Sequence, residues 1–231
     1  MMLQLVSRRC GRSRVYATLA LTALLSLLSL PAFAQNLVQN PNFNATLVPW
    51  TQFLSSAPDP AGAGTATWVP SPDADNNAGS GSAAVTIAAA PAATNAASGI
   101  DECVPFASTL VSTVNYGASV RLPASDPADG GANATIEIRL FSDSACTNFI
   151  SGAGGSQGQD IVAGIPNNAT WYALGDPNFQ PATPVTAASV QVRAYLRKTG
   201  ASANAYNANF DKVFVFLNGS TPVRLQDFGV E

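Results

Sequence analysis

The side chains able to do chemistry in this chain form a short list. There is no His in 231 residues, which excludes Ser-His-Asp hydrolysis, His-ligated zinc and His general bases. Glu occurs only at positions 102, 137 and 231, and Lys only at 198 and 212. Asp could still supply a glycosidase pair, but no two carboxylates are singled out by their spacing. The expectation is a non-catalytic protein. The residues whose types and spacing do suggest a task lie in two alternating segments. In Ala134–Phe141, one set of alternate positions holds Thr135, Glu137, Arg139 and Phe141; in Ser189–Arg197 it holds Gln191, Arg193, Tyr195 and Arg197. Planar polar groups beside an aromatic ring are what recognition of sugar hydroxyls needs, and Arg is a fork donor suited to acidic sugars. Glu137, Arg139, Gln191, Arg193 and Tyr195 are therefore the candidate ligand-binding residues. The same pattern also fits a solvated strand face with cross-strand Glu–Arg pairs.

Two further groups bear on chemistry. Cys103 and Cys146 are the cysteines left once Cys10 is assigned to a leader, and an even pair in an exported chain reads as a disulfide. Asp73-Ala74-Asp75-Asn76-Asn77-Ala78-Gly79 begins like a calcium loop. It has Ala78 where the sharp-turn Gly belongs and Ala84 where the closing Glu belongs, so it reads as an Asx-rich turn.

The elements that must position these groups are short strands. Val114–Val120, Ala134–Phe141, Ser189–Leu196 and Asn209–Phe216 all show a period of two; Ala83–Ile87 and Cys103–Phe106 are weaker candidates. Gly, Pro, Asn, Ser and Thr punctuate the rest. Ser55–Ala66, Ser71–Ser82, Ala88–Ser98 and Ser151–Gly164 read as loops. No fixed-period repeat occurs, so solenoids and propellers are not expected. The pattern predicts an all-β fold, an antiparallel β-sandwich or jelly roll.

Ahead of it, Arg8, Arg9, Arg12 and Arg14 precede an uncharged apolar stretch, Val15–Leu30. Ala32-Phe33-Ala34 then supplies the small residues of a cleavage site. The expected organisation is a cleavable signal peptide at 1–34, a sandwich domain at 35–217 and a tail at 218–231. Localisation is then secreted, periplasmic or at the cell surface. After the cut, seven basic residues face 14 acidic ones, which argues against nucleic acid as a partner. No run after residue 34 is long and apolar enough for a spanning helix.

The ends of the chain carry a resemblance. Asn36-Leu37-Val38-Gln39-Asn40-Pro41-Asn42-Phe43-Asn44 with Trp50, then Ser80-Gly81-Ser82, then Trp171-Tyr172-Ala173-Leu174 and Asn209-Phe210-Asp211-Lys212-Val213 follow one another in order. Together they resemble secreted carbohydrate-binding-module-like domains of the galactose-binding-like jelly-roll group. The resemblance implies that the first and last strands lie together. It also implies a structural Ca²⁺ there, with Asp211 and the residue at Asn44 as ligands, although Asn44 replaces the usual Glu and Lys212 the usual second acid or amide. By the same resemblance the protein is expected to bind a polysaccharide without catalysis. The other open reading is an envelope structural or protein-interaction β-sandwich without sugar affinity. The tail offers a protein-docking strand.

Overall fold

The computed structural model describes residues 35–55, 60–151, 157–162 and 167–218, the stretch 157–162 through its backbone alone. The signal-peptide segment, and the tail beyond Asn218, lie outside the described residues. The described chain contains ten strands: β1 Thr51–Leu54, β2 Gly64–Val69, β3 Ser82–Ile87, β4 Ala97–Val111, β5 Val114–Arg121, β6 Ala132–Phe141, β7 Gln157–Val162, β8 Trp171–Phe179, β9 Val185–Lys198 and β10 Tyr206–Leu217. They form two five-stranded sheets, ordered β1-β4-β9-β6-β7 and β2-β3-β10-β5-β8. Every pairing is antiparallel. Among the described residues no helix is long and apolar enough to cross a membrane.

The period of two decides which side of each strand meets the core. Ile136, Ile138 and Leu140 of β6, and Val190, Val192, Ala194 and Leu196 of β9, pack inward from one sheet. Val85, Ile87, Val114, Tyr116, Val120, Phe210, Val213 and Val215 meet them from the other. A bulge between Asp211 and Phe214 breaks the β10 ladder, with Lys212 in the left-handed region at φ 51°. The extra residue lets both Phe210 and Val213 face the core, each fully buried.

Beyond the bulge the opening segment lines β10. Leu37 N–H donates to Val215 O (3.0 Å) and Val213 N–H to Pro41 O (3.0 Å). The Asn36 side chain bonds both Val213 O and the Val215 N–H. The two ends of the domain therefore lie together, though residues 36–41 add no strand of their own. The tryptophans pin this region. Trp50 Nε1 donates to Gln39 O and Trp68 Nε1 to Phe43 O.

Three sequence-based boundaries change. Strand β2 begins inside Ser55–Ala66 and β4 inside Ala88–Ser98, while β7 lies wholly within Ser151–Gly164. Ala, Gly, Ser and Gln are weak strand formers alone. Ladder bonds to β3, β9 and β6 recruit them, because sheet preference reflects context more than residue type.

One core-side group is out of character. Ile100, Glu102 and Val104 share a side of β4, and Glu102 is only 4% exposed. Its Oε1 accepts the Gln39 N–H at 3.2 Å, and its Oε2 has no hydrogen-bond partner among the described residues. Burial pushes its carboxyl up to about 7 from 4.5. Such a group favours the folded state while protonated. Its contribution is fully present below pH 4.5 and is lost as pH rises through 7. Glu102→Gln keeps an acceptor for Gln39 and removes the buried charge. It is expected to raise stability by about 1–3 kcal/mol at pH 8 and to do nothing near pH 4.5. Urea titrations at the two pH values check this, and an equal change at both would refute the assignment.

Candidate functional site

Strands β6 and β9 are neighbours, with Glu137 opposite Arg193, Arg139 opposite Gln191 and Thr135 opposite Tyr195. The five candidate residues therefore share one sheet face, directed away from the core. Strand β4 continues each row on the other side of β9, placing Gly99, Asp101 and Cys103 opposite Tyr195, Arg193 and Gln191. Strand β1 adds Phe53 opposite Gly99 and Thr51 opposite Asp101.

Glu137 is the hub. Its Oε1 accepts from Arg193 Nη1 at 3.1 Å and its Oε2 from the Tyr195 hydroxyl at 2.9 Å. Arg139 Nε also lies 3.1 Å from Oε1, but its N–H finds no aligned acceptor. That contact is coulombic, not a hydrogen bond. A second carboxylate anchors the other side of the face. Asp101 accepts from Thr51 Oγ1 (2.6 Å) and Gln191 Nε2 (2.7 Å). Both guanidiniums are braced by aromatic rings, Arg193 over Phe53 at 4.5 Å and Arg139 over Phe149 at 5.1 Å from the ring centroid. Desolvation lowers the Arg193 pKa, and the Glu137 charge opposes that shift.

Local backbone makes room for this packing. Phe53 and Tyr195 meet at 5.1 Å between centroids, across β4 at Gly99. A Cβ on Gly99 would come within 2.3 Å of the Tyr195 Cβ and 2.2 Å of Ala194 O, so no larger residue fits without a shift of the backbone.

One end of the face is walled by the segment after β6. Phe149 forms a bridge with Phe141, and their rings meet edge to face at 5.7 Å. Cys146 is disulfide-bonded to Cys103, as the sequence predicts. The bond runs from this segment over β9 to β4, and Ser189 Oγ beneath it donates to Asp143 O at 2.6 Å. Asp143 holds the turn by accepting from the Thr147 hydroxyl and the Thr147 and Asn148 N–H groups. These bonds keep its carboxyl below the usual range.

The proposed calcium ligands lie elsewhere. Asn44 is exposed on an irregular loop segment, its N–H bonded to Asn40 Oδ1 at 2.7 Å. Asp211 is 1% exposed, with one oxygen accepting the Ala74 N–H and the other the Lys212 N–H. Burial pushes its carboxyl up to about 6, against those two bonds. The Asp73–Gly79 string is the expected Asx turn. Asp73 Oδ1 accepts the Asp75 and Asn77 N–H groups, its Oδ2 the Ser80 hydroxyl, and Lys212 pairs with Asp75. Among the described residues no three acidic or thiol side chains are grouped to hold a metal ion.

Sequence reasoning identified the two central strands of the face but missed Phe53, Asp101 and Phe149. Asp101 was within reach of it. It shares the parity of Cys103, and a disulfide to the segment after β6 places that parity on the outer face. Phe53 sits in a four-residue strand too short to show a period, and Phe149 makes a single bridge outside any strand.

No protein-family model matches the chain, and no curated protein matches its sequence. Solved structures do match. The enzymatically active domain of bacteriophage CBA120 tailspike protein 4 aligns at a TM-score of 0.51 and 14% identity, over 79% of this chain and 21% of its own. A structure of carbohydrate-binding modules from the β-sandwich superfamily aligns at 0.50 and 10% identity, over 80% of this chain and 63% of its own. This chain thus spans about a fifth of the first and under two thirds of the second. At these identities the likeness concerns fold, and fold alone does not fix function. The chain has an antiparallel β-sandwich fold, similar to that of those carbohydrate-binding modules.

Proposed function

We propose that this is an exported, non-catalytic glycan-binding protein, and that the outer face of β1, β4, β9 and β6 is its binding surface. The observation that carries the reading is the state of the charged residues there. On a plain solvated strand face Glu and Tyr stand in water. Here Glu137 and Tyr195 are each 4% exposed, and Arg193 is held between Glu137 and the Phe53 ring. Such a recessed, fixed set of polar groups loses little conformational freedom on meeting a ligand. The exposed ring of Phe149 and the amide of Gln191 lie beside it, which suits the stacking and hydroxyl contacts of sugars.

Catalysis has less support. Asp101 and Glu137 flank Arg193 two strand spacings apart, roughly 10 Å between Cα atoms. Each oxygen of the pair accepts a hydrogen bond. Glu137 serves to orient Arg193 and Tyr195, and Asp101 to hold Thr51 and Gln191. The calcium expectation also meets a competing arrangement, because hydrogen bonds and the Lys212 ammonium already satisfy the carboxylates of Asp211, Asp73 and Asp75. Stability is therefore expected to be indifferent to calcium.

The test uses protein recovered from expression of the full 231-residue chain. Pull-down and affinity electrophoresis would be run on plant, fungal and bacterial polysaccharides, with Ca²⁺ and with chelator. Saturable binding to one class is expected, unchanged by chelator and weakened about tenfold or more by Phe149→Ala or Gln191→Ala. Binding to none of the polymers would leave the sandwich as a structural or protein-interaction module.

A further inference from the structure

Among the described residues, the face has donors to spare and few acceptors. Arg139 makes no hydrogen bond among the described residues. Its Nε touches Glu137 only as an ion pair, and its side chain is 32% exposed. Arg193 donates one bond, from Nη1, and its Nε has no hydrogen-bond partner among the described residues. Arg197 follows Arg193 and Tyr195 in the β9 alternation, opposite Asn133 and Ala97, and is half-buried. Among the described residues no carboxylate stands in its row.

The acceptors, in contrast, are taken. Glu137 lies beneath the arginines, and Asp101 is bonded to Thr51 and Gln191. Among the described residues, three of the seven basic residues from position 35 onward therefore fall on one face with two carboxylates, in a stretch that holds twice as many acids as bases. The remainder of the surface would repel a polyanion, and this face would not.

We infer that the bound glycan carries carboxylates: the surface takes a uronate-bearing polysaccharide, gripped by the outward N–H forks of Arg139 and Arg197, with Phe149 and Arg193 bracing the sugar ring between them. The inference rests on the glycan-binding reading above. The reason for a carboxylate over a neutral hydroxyl is geometric. The Arg139 guanidinium lies over the Phe149 ring with its Nε edge paired to Glu137 as an ion pair, so its outer edge presents two parallel donors that match a planar carboxylate, and Arg197 adds a second fork farther along β9.

The experiment compares the affinity of the full-chain protein for polygalacturonate and alginate with that for fully methyl-esterified polygalacturonate, neutral galactan and dextran sulfate. A uronate polymer is expected to bind about tenfold or more tighter than the ester, which keeps the backbone and removes the charge. The advantage should shrink as salt rises from about 0.05 to 0.5 M. Arg139→Gln and Arg197→Gln should each remove most of it with unchanged thermal midpoints, and Arg139→Lys should not restore it. Equal affinity for acid and ester, equal affinity for dextran sulfate, or indifference to both glutamine variants would overturn the inference. Preference for neutral galactan would overturn it while leaving glycan binding standing. Binding to no polymer would remove both.

Discussion

Replacing Cys103 and Cys146 together by Ser is expected to lower the unfolding free energy by about 4 kcal/mol, the chain-entropy value for a closed loop of this length. The two cysteines are 43 residues apart, so the bond removes much freedom from the unfolded chain. The folded state should lose little. Ser189 still reaches Asp143 O, Ile150 still pairs with Leu140, and the Asp143 turn is closed by its own hydrogen bonds. For a domain of this size the midpoint should fall by roughly 10 °C. Denaturant titration separates the possible causes. The expected result is a lower midpoint concentration with an unchanged or slightly larger slope, because the unfolded state expands. A loss below about 1 kcal/mol would mean that the loop between the cysteines stays compact when unfolded. The same variant bears on function. Without the bond, the hold on Phe149 at its end of the face loses its covalent part and rests on the turn, the Phe141 contact, the neighbouring Ile150–Leu140 bond and the Arg139 guanidinium. Glycan affinity should therefore fall further than the stability change alone explains at temperatures where the protein is fully folded.

The second large effect is expected at Glu137. Glu137→Ala removes the shared partner of Arg193, Tyr195 and Arg139 and should cost about 3–5 kcal/mol. The cost arises from what remains. The Arg193 side chain is 16% exposed, and the Glu137 side chain 5%, so the arginine keeps its charge without its hydrogen-bonded anion and cannot fully regain water. Glu137→Gln should cost less, because an amide oxygen still accepts from Arg193. Replacing Glu137 and Arg193 together should recover part of the single-variant loss, and the double-mutant cycle in urea measures that coupling directly. A cycle with no coupling would mean that the ion pair contributes only packing. Because the pair is recessed, the coupling should survive added salt, unlike that of exposed pairs.

The stability effect proposed for Glu102 and the ligand preference proposed for Arg139 stem from opposite sides of one sheet. On β4, Glu102 looks toward the core and Asp101 away from it. That single-residue offset separates a carboxyl raised by burial from one held by Thr51 and Gln191.

Much of this was legible in the sequence because a strand sorts its side chains by parity alone. The alternation in Ala134–Phe141 and Ser189–Leu196 determined which residues face the core and which face outward. It also determined that Glu137, Arg139, Gln191, Arg193 and Tyr195 would be coplanar if the two strands were neighbours. The cysteine pair and the marked ends of the chain were equally readable. Parity says nothing about which strand lies beside which. Only the tertiary structure decided that β9 sits between β4 and β6, which brought Asp101 and Phe53 to the face and recruited β7 from a stretch that reads as loop. It also decided that Glu137 would be a recessed hub and not a solvated charge. Burial of a polar side chain depends on what its neighbours across the sheet cover, and those neighbours lie as many as 58 residues away in the chain.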